Sequence, residues 1–170
     1  MALIKSVRGF TPNIGVNCYL SENATIIGNV TIGNDCSIWF NSVLRGDVHY
    51  IKLGHHVNVQ DGAIVHATYE KYPTNIGNYV SIAHGAIIHG CTIMDNVLIG
   101  MGAIVMDDAI VESNSIVAAG AVVTQGTHIK SGSVYGGSPA KLIKEISPEL
   151  LEDQINRIAN NYAMYADWYK

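Results

Sequence analysis

The stretch IGVNCYLSENATIIGNVTIGNDCSIWFNSVL, residues 14–44, decides the fold. Its large aliphatic residues stand six apart without a miss, at Ile14, Leu20, Ile26, Ile32, Ile38 and Leu44. Four residues after each comes a small or β-branched side chain: Cys18, Ala24, Val30, Cys36, Ser42 and Val48. A period of six fits neither an amphipathic helix, which repeats near 3.6, nor a strand paired to its neighbours by hairpins. It fits an all-β solenoid of short strands and corners, in which each aliphatic residue is buried only by stacking on the next coil.

Outward from that stretch the phase slips by three residues after Leu44 and resumes at Leu53, Val59 and Val65. It breaks across Thr68–Asn75 and resumes at Ile76, Ile82 and Ile88. One residue is then dropped, and the period continues from Ile93 through Val105 and Val117 to Tyr135, with the small partners running on to Ser133 and Pro139. Glycine follows the key aliphatic at Gly33, Gly54, Gly77 and Gly100. Three hexapeptides per coil make a triangular prism of about 18 residues per turn, a parallel β-helix. The tail is different. Ser147 reads as an N-cap, Pro148 as the first helical residue and Glu149 as a first-turn acid. Leu150, Leu151, Ile155, Ile158 and Tyr162 then form an apolar stripe at helical spacing. The expected organisation is a β-helix domain over residues 1–145 and a C-terminal α-helix over 146–170, packed on the prism or on a neighbouring subunit.

Composition narrows the function. The 170 residues are 48% apolar but only 8% aromatic, and the net charge is −4 with no basic run, which argues against nucleic acid and anionic membranes as partners. No apolar run approaches the roughly 20 residues that span a bilayer. MALIKSVRGF lacks the apolar stretch of a signal peptide, so the sequence reads as cytoplasmic. Three cysteines without paired spacing read as structural rather than as a disulfide framework or a thiolate zinc site.

Three histidines acquire meaning once they are placed on the repeat. His66 follows Val65 and His89 follows Ile88, which puts both in one column on adjacent coils, about 4.8 Å apart. Counting back from Val65 to Leu44 puts Arg45 in the same column. His84, two residues after Ile82, shares a different corner with Asp61, two residues after Val59. Two stacked imidazoles suit one metal ion, and a neighbouring copy in a cyclic trimer would bring its His84 to the same ion. Three neutral histidines with one open position form a catalytic zinc set. Beside them, Gln60 is placed to hydrogen-bond a metal-bound water. Arg45 is placed to pair with an acid across the seam, and Asp61 to anchor Arg45 or orient His84. The plainer reading makes Asn58, Asp61 and Gly62 corner-turn residues, Arg45-Gly46-Asp47 a solvated bend, and His49, His55, His56 and His128 surface polar groups. The tail aromatics read as packing residues, with Tyr162, next to Asn160 and Asn161, kept as a candidate site residue.

Arg45-Gly46-Asp47, Asn58-Val59-Gln60-Asp61-Gly62, His66, Ala83-His84-Gly85 and Ile88-His89-Gly90-Cys91, set within hexapeptide repeats, resemble the gamma-class carbonic anhydrases and their bacterial homologues. The resemblance runs along essentially the whole chain, including the tail with its Asn160-Asn161-Tyr162. It implies a left-handed β-helix and reversible hydration of CO2 to bicarbonate by metal-bound hydroxide. It further implies a homotrimer in which His66 and His89 of one subunit and His84 of the next hold Zn2+, with Fe2+ or Co2+ as alternative metals. Gln60 would position the hydroxide, Asn58 would help place CO2, and Arg45, Asp47 and Asp61 would tie the trimer together. Archaeal members carry proton-transfer acids after the Arg-x-Asp-like motif and in the loop after the first histidine. Here Val48 takes the first place, and Glu70 is the one carboxylate in the Thr68–Asn75 excursion. Two alternatives stand beside this reading: a hexapeptide acyltransferase or thioesterase acting on a CoA thioester, and a catalytically weak trimeric metal-binding scaffold.

Overall fold

The computed structural model describes residues 1–169. Hexapeptide strands stack in parallel into a left-handed β-helix of about seven turns with three flat faces. On the first face the inward register runs Ile26, Leu44, Val65, Ile88, Val105, Val123. The second runs from Ile14 and Ile32 through Leu53, Ile76, Ile93 and Val111 to Ile129. The third runs from Leu20 and Ile38 through Val59, Ile82, Ile99 and Val117 to Tyr135. The key aliphatic positions read from the sequence therefore fill the prism interior as three columns. Burying each such side chain contributes roughly 1.5–3 kcal/mol, and it is buried only because the coils above and below exist.

Corners are made by residues that tolerate left-handed backbone, among them Asn17, Asp35, Asn96 and Asn114 at φ 55–58°. One corner instead needs glycine for close approach: a Cβ on Gly33 would stand 2.3 Å from the carbonyl oxygen of Gly54 in the next coil. Cys36 and Cys91 are buried, as expected of structural thiols. Burial pushes the Cys91 thiol up to about 12, and the neighbouring Cys18 together with burial raises that of Cys36. Neither is a thiolate at neutral pH.

Two expectations of the repeat are corrected. The small-partner position assigned to Val48 is filled by Ile51, which pairs with Val30 and is fully buried. Gly28 pairs with Gly46, so three extra residues bulge outward between Gly46 and Ile51 and carry Val48 away from the core. At the C-terminal end Pro139 is exposed and Ala140 fills the core. The last strand, Lys141–Glu145, turns back antiparallel on Ser133–Gly136 and ends the solenoid.

Ser147 caps the tail helix by accepting a hydrogen bond from the Leu150 amide at 3.2 Å, with Pro148 in the first turn. A wide π-helical turn spans Leu151–Asn156 before regular helix resumes over Arg157–Asp167. The apolar spacing gives no sign of that turn. Lys170, the end of the expected segment, lies outside the described residues. The helix packs on the third face of its own prism: Leu151, Ile155 and Ile158 meet Leu98, Ile116 and Val134. Its far end meets Tyr19 and Trp39 through Ala166 and Tyr162. Among the described residues no helix is long and apolar enough to cross a membrane.

Candidate metal centre

The corner between the first and second faces gathers one half of the site. Strands Ile64–His66 and Ile87–His89 pair in register with His66 opposite His89. The strands end there, so both rings point outward, and His66 Nδ1 stands 3.0 Å from His89 Nε2. Each remaining ring nitrogen is held by a carboxylate, His66 Nε2 by Asp47 Oδ1 at 3.0 Å and His89 Nδ1 by Asp107 Oδ1 at 2.6 Å. Arg45 pairs with the second oxygen of Asp47, and the Thr68 hydroxyl donates to the second oxygen of Asp107 at 2.7 Å. Buried Thr74 closes the Thr68–Asn75 excursion by donating to the His66 carbonyl and accepting from the Gly90 amide.

Burial holds the His66 imidazole below its ordinary value despite the Asp47 hydrogen bond, and the Arg45 and His89 charges act in the same direction. The ring is neutral near pH 7 and keeps the lone pair a metal requires. Burial tends to raise the Asp47 carboxyl, but the His66 and Arg45 contacts outweigh it and the net shift is downward.

His84 lies at the corner between the third and first faces. Its Nδ1 is 3.0 Å from Asp61 Oδ2, and its Nε2 is 3.2 Å from the Tyr162 hydroxyl. Burial, with the Asp61 charge and Tyr165 adding to it, pushes the Tyr162 phenol up to about 12, so that group is a neutral O–H at physiological pH. Gln60 belongs to this corner. It is 3% exposed and donates through Nε2 to Asn58 Oδ1 at 2.9 Å, while Asn58 donates to Ser81 at 2.8 Å. Gln60, His84 and Tyr162 share an apolar cavity of about 330 Å³ with Leu98 and Met101. Glu70 lies elsewhere, lining a cavity of about 210 Å³ with Asp47, Val48 and His49 against the outward bulge.

The structure therefore brings together His66, His89, Arg45 and Asp47 at one corner, and His84, Asp61, Gln60, Asn58 and Tyr162 around another. Among the described residues, no three His, Cys, Asp or Glu side chains of one chain converge as a ligand set. The donor chemistry of the first corner nonetheless fits a divalent ion. A tetrahedral ion with bonds of about 2.0–2.1 Å holds two ligand nitrogens roughly 3.3–3.4 Å apart. The 3.0 Å pair needs to open by only a few tenths of an ångström. The carboxylate behind each ring is the outer partner that metal-bound histidines use to fix tautomer and orientation. The column count, stopped at His89, overlooked Asp107. Val105 pairs with Ile88, so carrying the count one coil further puts a carboxylate two residues past the key position. Of the other histidines, His55 accepts from the Asn34 amide, His56 stacks on Tyr79, and His128 pairs with Glu112.

The model of bacterial transferase hexapeptide repeats matches residues 11–46 and 90–125. A carbonic anhydrase of Geobacillus kaustophilus is 38% identical over 168 residues, covering 99% of this chain and 91% of that one. The chain belongs to the gamma carbonic anhydrase-like family of hexapeptide-repeat proteins. Protein YrdA of Escherichia coli is similar to it at 39% identity, covering 98% of this chain and 94% of YrdA. Among solved structures, a hexapeptide transferase family protein of Anaplasma phagocytophilum superposes with a TM-score of 0.94 at 38% identity, covering 99% and 98% of the two chains.

Proposed function

We propose that the protein catalyses the reversible hydration of CO2 to bicarbonate at Zn2+ centres, with Fe2+ or Co2+ as alternatives, shared between subunits of a homotrimer. The observation that carries this reading is the in-register His66–His89 pair, each ring backed by a carboxylate, with the third histidine at a separate corner of the prism. A three-sided solenoid in a closed ring sets one corner of each copy against another corner of the next, which would complete the set at every seam. A divalent ion there would lower the pKa of a bound water to near 7 and supply a nucleophile at neutral pH.

The chain's own residues do the rest. Asp47 and Asp107 hold the outer nitrogens of His66 and His89, which would leave the inner nitrogens, 3.0 Å apart, to turn their lone pairs to a shared ion. Asp61 does the same for His84, whose Nε2 would exchange the Tyr162 hydroxyl for the ion. With Nε2 of Gln60 committed to Asn58, its Oε1 would accept the O–H of the nucleophilic water and aim the oxygen lone pair at CO2. The apolar wall of Leu98 and Met101 beside it suits a small nonpolar substrate. Glu70, one coil from Asp47 at the bulge, would carry the proton to solvent.

A second reading, a CoA thioester as substrate, draws on the same apolar cavity and on the transferase-family structural relative. The deciding experiment is metal analysis of protein purified without chelator, combined with CO2 hydration by the metal-loaded oligomer and light scattering. Trimers that carry metal and hydrate CO2 support the proposal. Metal-loaded trimers with no hydration but acyl-CoA hydrolysis would transfer the assignment to the thioester.

A further inference from the structure

The corner between the second and third faces lies opposite the face that the two histidine corners flank, clear of the seams the metal reading needs. It holds a cavity of about 240 Å³ against the tail helix. Tyr79 and Asn96 line it from the solenoid, and Glu152, Asn156, Ala159 and Asn160 line it from the helix. Tyr79 is the unusual member of its column. Asn17, Asp35, His56, Asn96 and Asn114 hold the same left-handed place in other coils at φ 55–58°, and Asn, Asp and His are the residue types that favour it. Tyr79 takes φ 54° with a bulky ring, a strained choice for such a corner. The ring stacks on His56 with centroids 4.6 Å apart and planes at 10°. The Tyr79 amide donates to the His55 carbonyl and the Asn96 amide to the Asn78 carbonyl, both at 2.9 Å, so His56 is one coil before Tyr79 and Asn96 one coil after. One ring face is covered by His56, and the other turns toward Asn96 and the hollow. On the helix, residues 152, 156 and 159–160 share the side away from Gln154, Ile158 and Tyr162, which line the His84 cavity. Glu152 and Asn156 stand in the π-helical turn, a break in regular helix that recurs at functional sites. Asn156 donates one amide hydrogen to Glu152 Oε2 at 2.8 Å, which leaves its Oδ1 and second N–H for the hollow.

From this arrangement we infer a binding site for a nucleobase of the adenine class, stacked on Tyr79 as a third layer over His56. A planar base offers a π face to the ring and an edge with donor and acceptor side by side, and an Asn side chain pairs with such an edge through both ends of its amide. Asn96, Asn156 and Asn160 supply three amides around the stacking face. A plain apolar ring would cover those amides and the Glu152 carboxylate with nothing to compensate them. Glu152 is the one charged residue that lines the cavity, and no lysine or arginine lines it to receive a phosphate, so a nucleoside fits better than a nucleotide. The volume falls below the roughly 300–1,000 Å³ of pockets that enclose whole drug-sized ligands, which suits a base held with its ribose outside. The site shares no residue with the histidine corners and stands independently of the metal reading.

The test is calorimetric titration of the full-length oligomer with adenosine, purine riboside, adenosine monophosphate and methyl glucoside. The inference expects saturable adenosine binding that survives treatment with a chelator. Purine riboside, which lacks the exocyclic amine, and the monophosphate should each bind several-fold more weakly. Tyr79→Asn puts at this corner the residue that Asn96 and Asn114 already place in other coils, so the solenoid folds without the stacking face. Adenosine affinity should then fall roughly tenfold or more. Tyr79→Phe keeps the face and should bind as the wild type does. Equal affinity of the wild type and Tyr79→Asn for adenosine would take the ring out of the site and overturn the inference. Purine riboside or the monophosphate binding as tightly as adenosine would overturn the adenine-nucleoside assignment. No saturable response to adenosine, or a response to methyl glucoside alone, would overturn the site as a base pocket.

Discussion

Asp107 offers the sharpest test of the metal corner, because no motif reading selects it and the structure gives each of its oxygens a specific contact. Its Oδ1 lies 2.6 Å from His89 Nδ1, and its Oδ2 is fixed by Thr68 at 2.7 Å. Gly90 leaves the carboxylate room: a Cβ there would meet Asp107 Oδ1 at 2.2 Å. If Asp107 holds His89 in the tautomer that presents Nε2, its removal should weaken metal binding. A hydrogen bond to a charged group contributes about 1.5–3 kcal/mol. Its loss at this partly exposed corner corresponds to the 10–100-fold drop in affinity typical of such outer partners, or about 1.4–2.8 kcal/mol. Asp107→Ala should approach the upper end. Asp107→Asn, which can still accept the Nδ1 proton but lacks the charge, should fall near the lower end, and Thr68→Val should cost less than either. The assay is competition for Zn2+ or Co2+ between the purified oligomer and a chromophoric chelator. An unchanged dissociation constant in both Asp107 variants, with the oligomer intact, would refute the reasoning.

Gln60→Ala should lower the CO2 hydration rate roughly tenfold or more, about 1.4 kcal/mol in barrier, at unchanged metal content. Full activity would return Gln60 to a structural part in the Asn58–Ser81 hydrogen-bond chain. Because Val48 stands at the bulge beside Glu70 and the other carboxylate there, Asp47, is paired with His66 and Arg45, proton exit should limit turnover. Imidazole buffer should then raise kcat with little change in kcat/KM, more so in Glu70→Ala, and Val48→Glu should mimic the buffer. Rates insensitive to imidazole in both proteins would contradict that route. The Tyr162 phenol, raised to about 12, favours the neutral folded form. Its stabilising contribution is complete below the ordinary tyrosine value near 10 and is lost as pH rises through the folded value. Absorbance titration of tyrosinate should show a late step that disappears in Tyr162→Phe, and a late step retained in the variant would assign it to another ring.

The solenoid was legible because period six has one physical solution, and all three inward columns run through the positions the repeat selects. What failed were the interruptions. After Leu44 a count of four placed Val48 inward, whereas backbone pairing placed Ile51 there, because an insertion can bulge outward without disturbing the columns on either side. The same limit applied at Pro139, where the repeat continues on paper while the chain folds back antiparallel. At the site, the His66–His89 column and the His84–Asp61 column were both legible from phase alone. The grouping of Gln60 with His84 follows from strand Asn58–Val59 lying on the third face. The approach of Tyr162 depends on how the tail helix docks, which no repeat encodes.

The central claim is that each metal centre borrows His84 from a neighbouring subunit, and subunit mixing tests it most directly. His84→Ala trimers and His66→Ala/His89→Ala trimers should each bind metal poorly and hydrate no CO2. Coexpressed with different tags and isolated as mixed trimers, the two variants should regain a complete histidine set at one of the three seams of each closed ring. Metal content and hydration should return in that proportion. Mixed trimers as empty and inactive as their parents would contradict the shared centre.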